Sequence, residues 1–243
     1  MARQAGIRRP VRRVSGDRAL PLDRDRWPGT IPAARQLVDQ GLDLGSVTIL
    51  VGENGAGKST VVEGIAMAYG LSPEGGSVAA RLTSRASESS LHESLSLVRN
   101  PGAARWGFFL RAETMHGFYS YLEVNPGAVA EPVFHEMSHG ESFLAILAHR
   151  FDSPGLYVLD EPEAALSFSS TLALVGLLAE IAGSERTQAI VSTHSPIVAA
   201  TPGADLYEVG DWGLRRVAWD DLELVQHWRR FLQEPAAYLR HLD

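Results

Sequence analysis

Nine residues, "GENGAGKST" from Gly52 to Thr60, limit this chain more than any other stretch. The β-branched run "SVTILV" leads into them, and "STVVEGIAMAYGL" leads out with apolar residues at helical spacing. A strand that turns through glycines straight into a helix is a βα unit. Such units assemble into a parallel sheet with helices packed on its faces.

The same nine residues carry a chemical demand. Gly52, Gly57, Lys58 and Ser59 fit G-x-x-x-x-G-K-[S/T], with Gly55 inside the spacer. Glycines let the backbone wrap its N–H groups around a polyphosphate, and the helix beginning near Lys58 adds its unpaired amides. Of the 22 basic residues, Lys58 is the only lysine. A compact ammonium fits among phosphate oxygens where a planar guanidinium would not. Codon bias accounts for the general shortage of lysine but not for this exception, and a plain glycine turn would not need it. Ser59 follows with a hydroxyl suited to Mg²⁺.

Further along, strands alternate with helices. "WGFFLRAE" reads as a strand, and "MSHGESFLAILAHRF" as a capped helix. "GLYVLDEP" is a strand, "SSTLALVGLLAEIA" a helix, and "TQAIVSTHSP" a strand again. "DLYEVGDWGLRRVAW" reads as a hairpin turning at Gly210–Gly213, and a helix from Asp221 bends at Pro235. "LHESLSLV" reads as a helix within a Ser-, Gly- and Arg-rich stretch, and the arginine-rich N-terminus as an edge strand with a frayed tail in preference to a polyanion-binding arm. The expected organisation is one domain over residues 1–243. It has a basic segment at 1–26, a smaller lobe at about 72–150 and a hairpin and helix at 204–243. A 45% hydrophobic content is enough for a large core, and the net charge of −7 speaks against a dedicated nucleic-acid binder. The chain has no cysteine, which excludes thiolate metal sites and suits a reducing cytoplasm. No apolar run reaches membrane-spanning length.

Three further stretches bear charge or caps at element ends. Asp160 and Glu161 close an apolar strand, where adjacent carboxylates are expensive without a cation or a task. Asp160 is assigned to the Mg²⁺ shell and Glu161 to the attacking water. His194 ends another apolar strand, where it would face the same crevice and hydrogen-bond a terminal phosphate. Ser138 and Glu141 form a capping box whose helix N-terminus, with the flexible Gly140, points at an anion.

In this order, the stretches resemble the ABC-type ATPases. Gly52–Thr60 matches Walker A, with Asn54, Ala56 and Thr60 as its further members, and Leu156–Glu161 matches Walker B. Met137–Glu141 stands at the signature, Glu163–Ser167 at the D-loop and His194 at the switch histidine. The wording "GFFLRAE", "SHGES", "DEPEAALS", "THSPI" and "PGADLYEV" is similar to that of small stand-alone AAA-type ATPases related to the chromosome-maintenance and DNA-repair group. The resemblance implies a P-loop NTPase fold: a mostly parallel sheet flanked by helices, a small helical signature lobe and an antiparallel β edge. It implies ATP and Mg²⁺ as ligands and a homodimer that sandwiches ATP. In that dimer Ser138 and Gly140 of one subunit contact the γ-phosphate held by Lys58 of the other. The sequence departs from the family at His139, at Ser167 in place of an aspartate, and at the missing Q-loop glutamine. Glu113, or Arg111, is the nearest substitute for that glutamine, with Glu113 counted toward the metal. No adenine-stacking aromatic stands just before Walker A; Trp27 or the arginines near Arg12 are the candidates to replace it, although ordinary packing is the preferred reading of these residues.

The expectation is therefore a cytoplasmic Mg-dependent ATPase acting as a nucleotide switch for a protein partner. Two alternatives differ in partner. The nucleotide-binding subunit of a membrane transporter would need a groove for a coupling helix. A DNA-associated repair ATPase would contact DNA through the N-terminal arginines, without the long coiled coil of the large members.

Overall fold

A computed structural model describes residues 9–73, 75–77, 89–111 and 153–240. The strands are β1 (Val11–Gly16), β2 (Leu42–Asp43), β3 (Val47–Val51), β4 (Gly76–Ser77), β5 (Leu95–Arg99), β6 (Gly107–Arg111), β7 (Leu156–Asp160), β8 (Gln188–Thr193), β9 (Asp205–Gly210) and β10 (Gly213–Arg216). The helices are α1 (Pro32–Gln40), α2 (Lys58–Tyr69), α3 (Phe168–Ala182), α4 (Pro196–Ala199), α5 (Glu223–Gln233) and α6 (Pro235–Leu239).

The main sheet has the order β10-β9-β3-β8-β7-β6-β4. From β9 to β6 every neighbouring pair is parallel, and β10 and β4 add antiparallel edges. The central strands are buried along their whole length, which is why they read as unbroken apolar runs. Alternate side chains go to opposite faces. Val47, Ile49, Val51, Tyr157, Leu159 and Val191 join Leu174, Leu178 and Ile181 of α3 in one cluster. Leu50, Leu156, Val158 and Ile190 meet Leu37 of α1 and Val61, Val62 and Ile65 of α2 in the other. Helices thus cover both faces, as the βα pattern requires. Among the described residues no helix is long and apolar enough to cross a membrane.

A second sheet, β2-β1-β5, is antiparallel and joins the α1/α2 core through Val11, Val14 and Leu95. Two expectations are corrected here. β1 is not an edge strand, because it pairs with β2 on one side and β5 on the other. "LHESLSLV" is not a helix either: Ser90–Ser94 makes a 3-10 turn capped by Ser89, and Leu95–Arg99 continues as β5. The capped turn stops after five residues because Leu97 finds a ladder partner in Val14 of β1, and helix propensity yields to that pairing. α1 escaped the sequence reading, although Pro32 opens it and Gly41 closes it.

Gln188 ties the two sheets. Its fully buried amide accepts from the Val11 N–H and donates to the carbonyls of Val11 and Gly45.

Candidate functional site

Strand register assembles the site. Val51 lies beside Thr193 and Asp160 beside Ser192, so β3, β8 and β7 end level with one another. The phosphate loop, His194 and Glu161 leave those three ends together. This is the crevice outside the carboxyl ends of a parallel sheet, where ligands of such folds bind.

Gly57 turns the loop into α2 in the left-handed region at φ 95°. A Cβ there would meet Ile31 Cγ2 at 2.4 Å, so both conformation and space demand glycine. α2 begins at Lys58 without a side-chain cap and without acids in its first turn, which leaves its leading amides for an anion. Ser59 and Thr60 occupy that turn, half-buried. Gly52, Asn54, Gly55 and Ala56 form the loop before it.

The Lys58 side chain is 2% exposed. Its Nζ donates to the Glu53 carbonyl at 2.9 Å and stands 3.8 Å from Glu161 Oε1. Burial pulls its pKa below the ordinary lysine value, opposed by the charges of Glu161, Asp160 and Glu163. Glu161 is the only non-glycine residue at positive φ among the described residues, with φ 49° and ψ 51°. Its N–H donates to the Ser192 carbonyl at 3.1 Å, which holds the turn against β8. Glu161 Oε2 lies 3.7 Å from His194 Nδ1. One carboxylate therefore stands between the buried ammonium and the imidazole.

Asp160 is buried and accepts from the Ser192 hydroxyl through Oδ1. Its Oδ2 is 3.5 Å from Arg111 Nε. Arg111, level with Asp160 at the end of β6, also donates through Nη1 to Glu63 of α2 at 2.8 Å. A hydroxyl at Ser59 and a carboxylate at Asp160 are hard oxygen donors of the kind Mg²⁺ takes. No group of three or more His, Cys, Asp or Glu gathers as a cage among the described residues. Mg²⁺ in phosphate sites needs no such cage, because waters and phosphates supply most of its shell, so the donor set fits.

Ser167 caps α3, its hydroxyl accepting from the Ser170 N–H at 3.2 Å. Serine and aspartate are both strong N-caps, so Ser167 serves the helix start as an aspartate would. Trp27 is 53% exposed, and Arg12 is an exposed residue of β1. Ser138, His139, Gly140, Glu141 and Glu113 lie outside the described residues, as do the helix expected from Met137 and most of the smaller lobe.

Sequence reasoning missed the Glu63–Arg111 pair, the buried Glu163 and an aromatic cleft. The cleft, about 1020 Å³, runs from Gly52–Ala56 and His194 to Trp212, Trp228, Phe231 and Tyr238. Its aromatic wall comes from the C-terminal hairpin and helices.

The family model described as "AAA domain, putative AbiEii toxin, Type IV TA system" matches residues 69–200, more than half of the chain. No curated protein sequence matches. Among solved structures, the chain is similar to "SMC head domain from Thermotoga maritima" at 20% identity, covering 73% of this chain and 93% of that one, with a TM-score of 0.44. It is similar to the structure titled "Crystal structure of the SmcHead bound to the C-winged helix domain of ScpA" at 15% identity, covering 73% and 92%, with a TM-score of 0.49. A third is "An inward-facing conformation of a putative metal-chelate type ABC transporter", at 16% identity, 75% and 76% coverage and a TM-score of 0.45.

Proposed function

The chain belongs to the AAA-domain family whose model it matches, with the fold of a P-loop ATPase, and from that premise we propose that it is a Mg-dependent ATPase that works as a nucleotide switch. The observation that carries the proposal is the position of Glu161. Its carboxylate lies 3.8 Å from Lys58 Nζ and 3.7 Å from His194 Nδ1, at the mouth of a glycine loop.

In this reading the loop amides from Gly52 to Thr60 and the ammonium of Lys58 bind the phosphates. Ser59 and Asp160 would hold Mg²⁺, which when bound screens the charge of the phosphate oxygens. Glu161 accepts a hydrogen bond from the attacking water and orients it. Its left-handed backbone turns the side chain back toward Lys58 rather than out along the strand. His194, 44% exposed, addresses the terminal phosphate. A second copy completes the site, its Ser138 and Gly140 facing that phosphate from the opposite side. Hydrolysis then releases the dimer and whatever partner it holds.

The test is size-exclusion chromatography and phosphate release with Glu161→Gln. Retained ATP binding, lost turnover and an ATP-dependent shift to twice the mass support the proposal. An unchanged hydrolysis rate removes Glu161 from its role, and a monomer at saturating Mg-ATP removes the sandwich.

A further inference from the structure

Glu163 is a buried carboxylate for which the reaction just described has no use. It lies in the 3-10 turn Pro162–Ala165 that follows β7, and its side chain is 7% exposed. Its Oε1 accepts from the Thr193 hydroxyl and from the His194 N–H at 2.9 Å, and stands 3.6 Å from His194 Nδ1. Its Oε2 is buried without a hydrogen-bond partner.

A tie between this turn and the end of β8 needs only one neutral acceptor, which a glutamine amide would supply. A buried charge with one oxygen left over costs more than that tie requires. The charge has a use at the imidazole. His194 Nδ1 lies between two carboxylates at nearly equal distance, Glu161 at 3.7 Å and Glu163 at 3.6 Å. They differ in freedom: Glu161 is 32% exposed, whereas Glu163 is held by Thr193 and by the backbone of His194 itself. Of the two, Glu163 is the one whose position does not depend on the water that Glu161 orients.

We propose that Glu163 is the positioning residue of His194. Its carboxylate accepts from Nδ1–H, which fixes the plane of the ring and turns Nε2 toward the terminal phosphate; the anion is met when Nε2 carries a proton as well, with Glu163 balancing the charge of the ring. Glu161 is thereby freed for the water. The proposal rests on the role given to His194 above.

The test reads the ring directly, by ¹⁵N chemical shifts of His194 in the protein without nucleotide, beside nucleotide affinity and single-turnover hydrolysis. The native chain is expected to carry its proton on Nδ1. Glu163→Gln keeps an acceptor for Thr193 and the His194 amide but loses the charge. It is expected to bind ATP as the native chain does, to move the ring toward the Nε2–H form, and to hydrolyse about ten-fold more slowly. Thr193→Val removes the tie to Glu163 and the acceptor for the Ser195 N–H, and is expected to lower the melting temperature while leaving tautomer and rate alone. A native ring protonated on Nε2 overturns the proposal without any variant. So does a Glu163→Gln protein with native tautomer and rate, or a Thr193→Val protein that reproduces its loss. If the native chain hydrolyses no ATP, the functional reading fails, while the His194 tautomer still decides the role of Glu163.

Discussion

Glu161 Oε1 and Lys58 Nζ face each other across 3.8 Å, one from the end of β7 and the other from the first residue of α2. The two residues are far apart in sequence, and β8 lies between their strands. Their meeting marks the candidate site, and the first two predictions concern its halves.

Lys58→Ala removes the buried ammonium and its charge-assisted bonds to phosphate. Such bonds contribute about 1.5–3 kcal/mol, roughly 10- to 150-fold in affinity. Titration with a fluorescent ATP analogue is expected to show a loss of that order. Affinity within two-fold of native would place the phosphates elsewhere.

Glu161→Gly relieves a left-handed backbone that costs a non-glycine residue about 1–3 kcal/mol, less the extra freedom glycine gains when unfolded. The variant is expected to be about 1 kcal/mol more stable in urea while losing turnover. A glycine variant less stable than native would mean that the Glu161 side chain contributes more to the fold than its backbone costs.

Gln188→Leu takes the side-chain partner from both backbone groups of Val11 and from the Gly45 carbonyl. Each lost bond in a buried setting costs about 1 kcal/mol or more, so roughly 3 kcal/mol is expected. For a chain of this size that lowers the melting temperature by roughly 6–12 °C, readable by calorimetry. A shift under 2 °C would show that the two sheets hold together without this amide.

Tyr69 controls the alkaline limit. Its phenol donates to the carbonyls of Ala104 and Trp106, and burial raises its pKa above the ordinary 10.0, against the lowering effect of Arg99. The native phenol therefore keeps its proton at pH values where the unfolded one has lost it. That contribution is complete below pH 10.0 and declines as pH climbs from there toward the raised value. Tyr69→Phe is expected to cost about 1 kcal/mol at pH 7 and to fall less steeply than native above pH 10. Tyr207, raised by burial as well, leaves part of the slope in place. Parallel native and variant curves above pH 10 would contradict this.

The phosphate loop was legible because three glycines and a lone lysine sit between two strong local patterns. Asp160, Glu161 and His194 were legible as polar residues ending apolar runs. Their register was not, since parallel pairing joins strands far apart in sequence and no local pattern encodes it. Gln188 reads as a polar residue at a strand start until Val11 arrives from the other sheet. Glu63 reads as the one acid of a mostly apolar helix until Arg111 closes on it. Leu95–Arg99 reads as helix because the strand that claims it lies at the other end of the domain's N-terminal half. In each case the deciding partner is distant in the chain.

The neighbouring positions of β6 and β7 carry a consequence for how such proteins diversify. β6 ends at Arg111, level with Asp160 at the phosphate-loop end, and β7 begins at Leu156, one strand over and at the opposite end. Parallel pairing holds Arg111 level with Asp160, and Asp160 level with Ser192, so the acidic end of β7 keeps its place beside the loop through any sequence change that leaves the three strands paired.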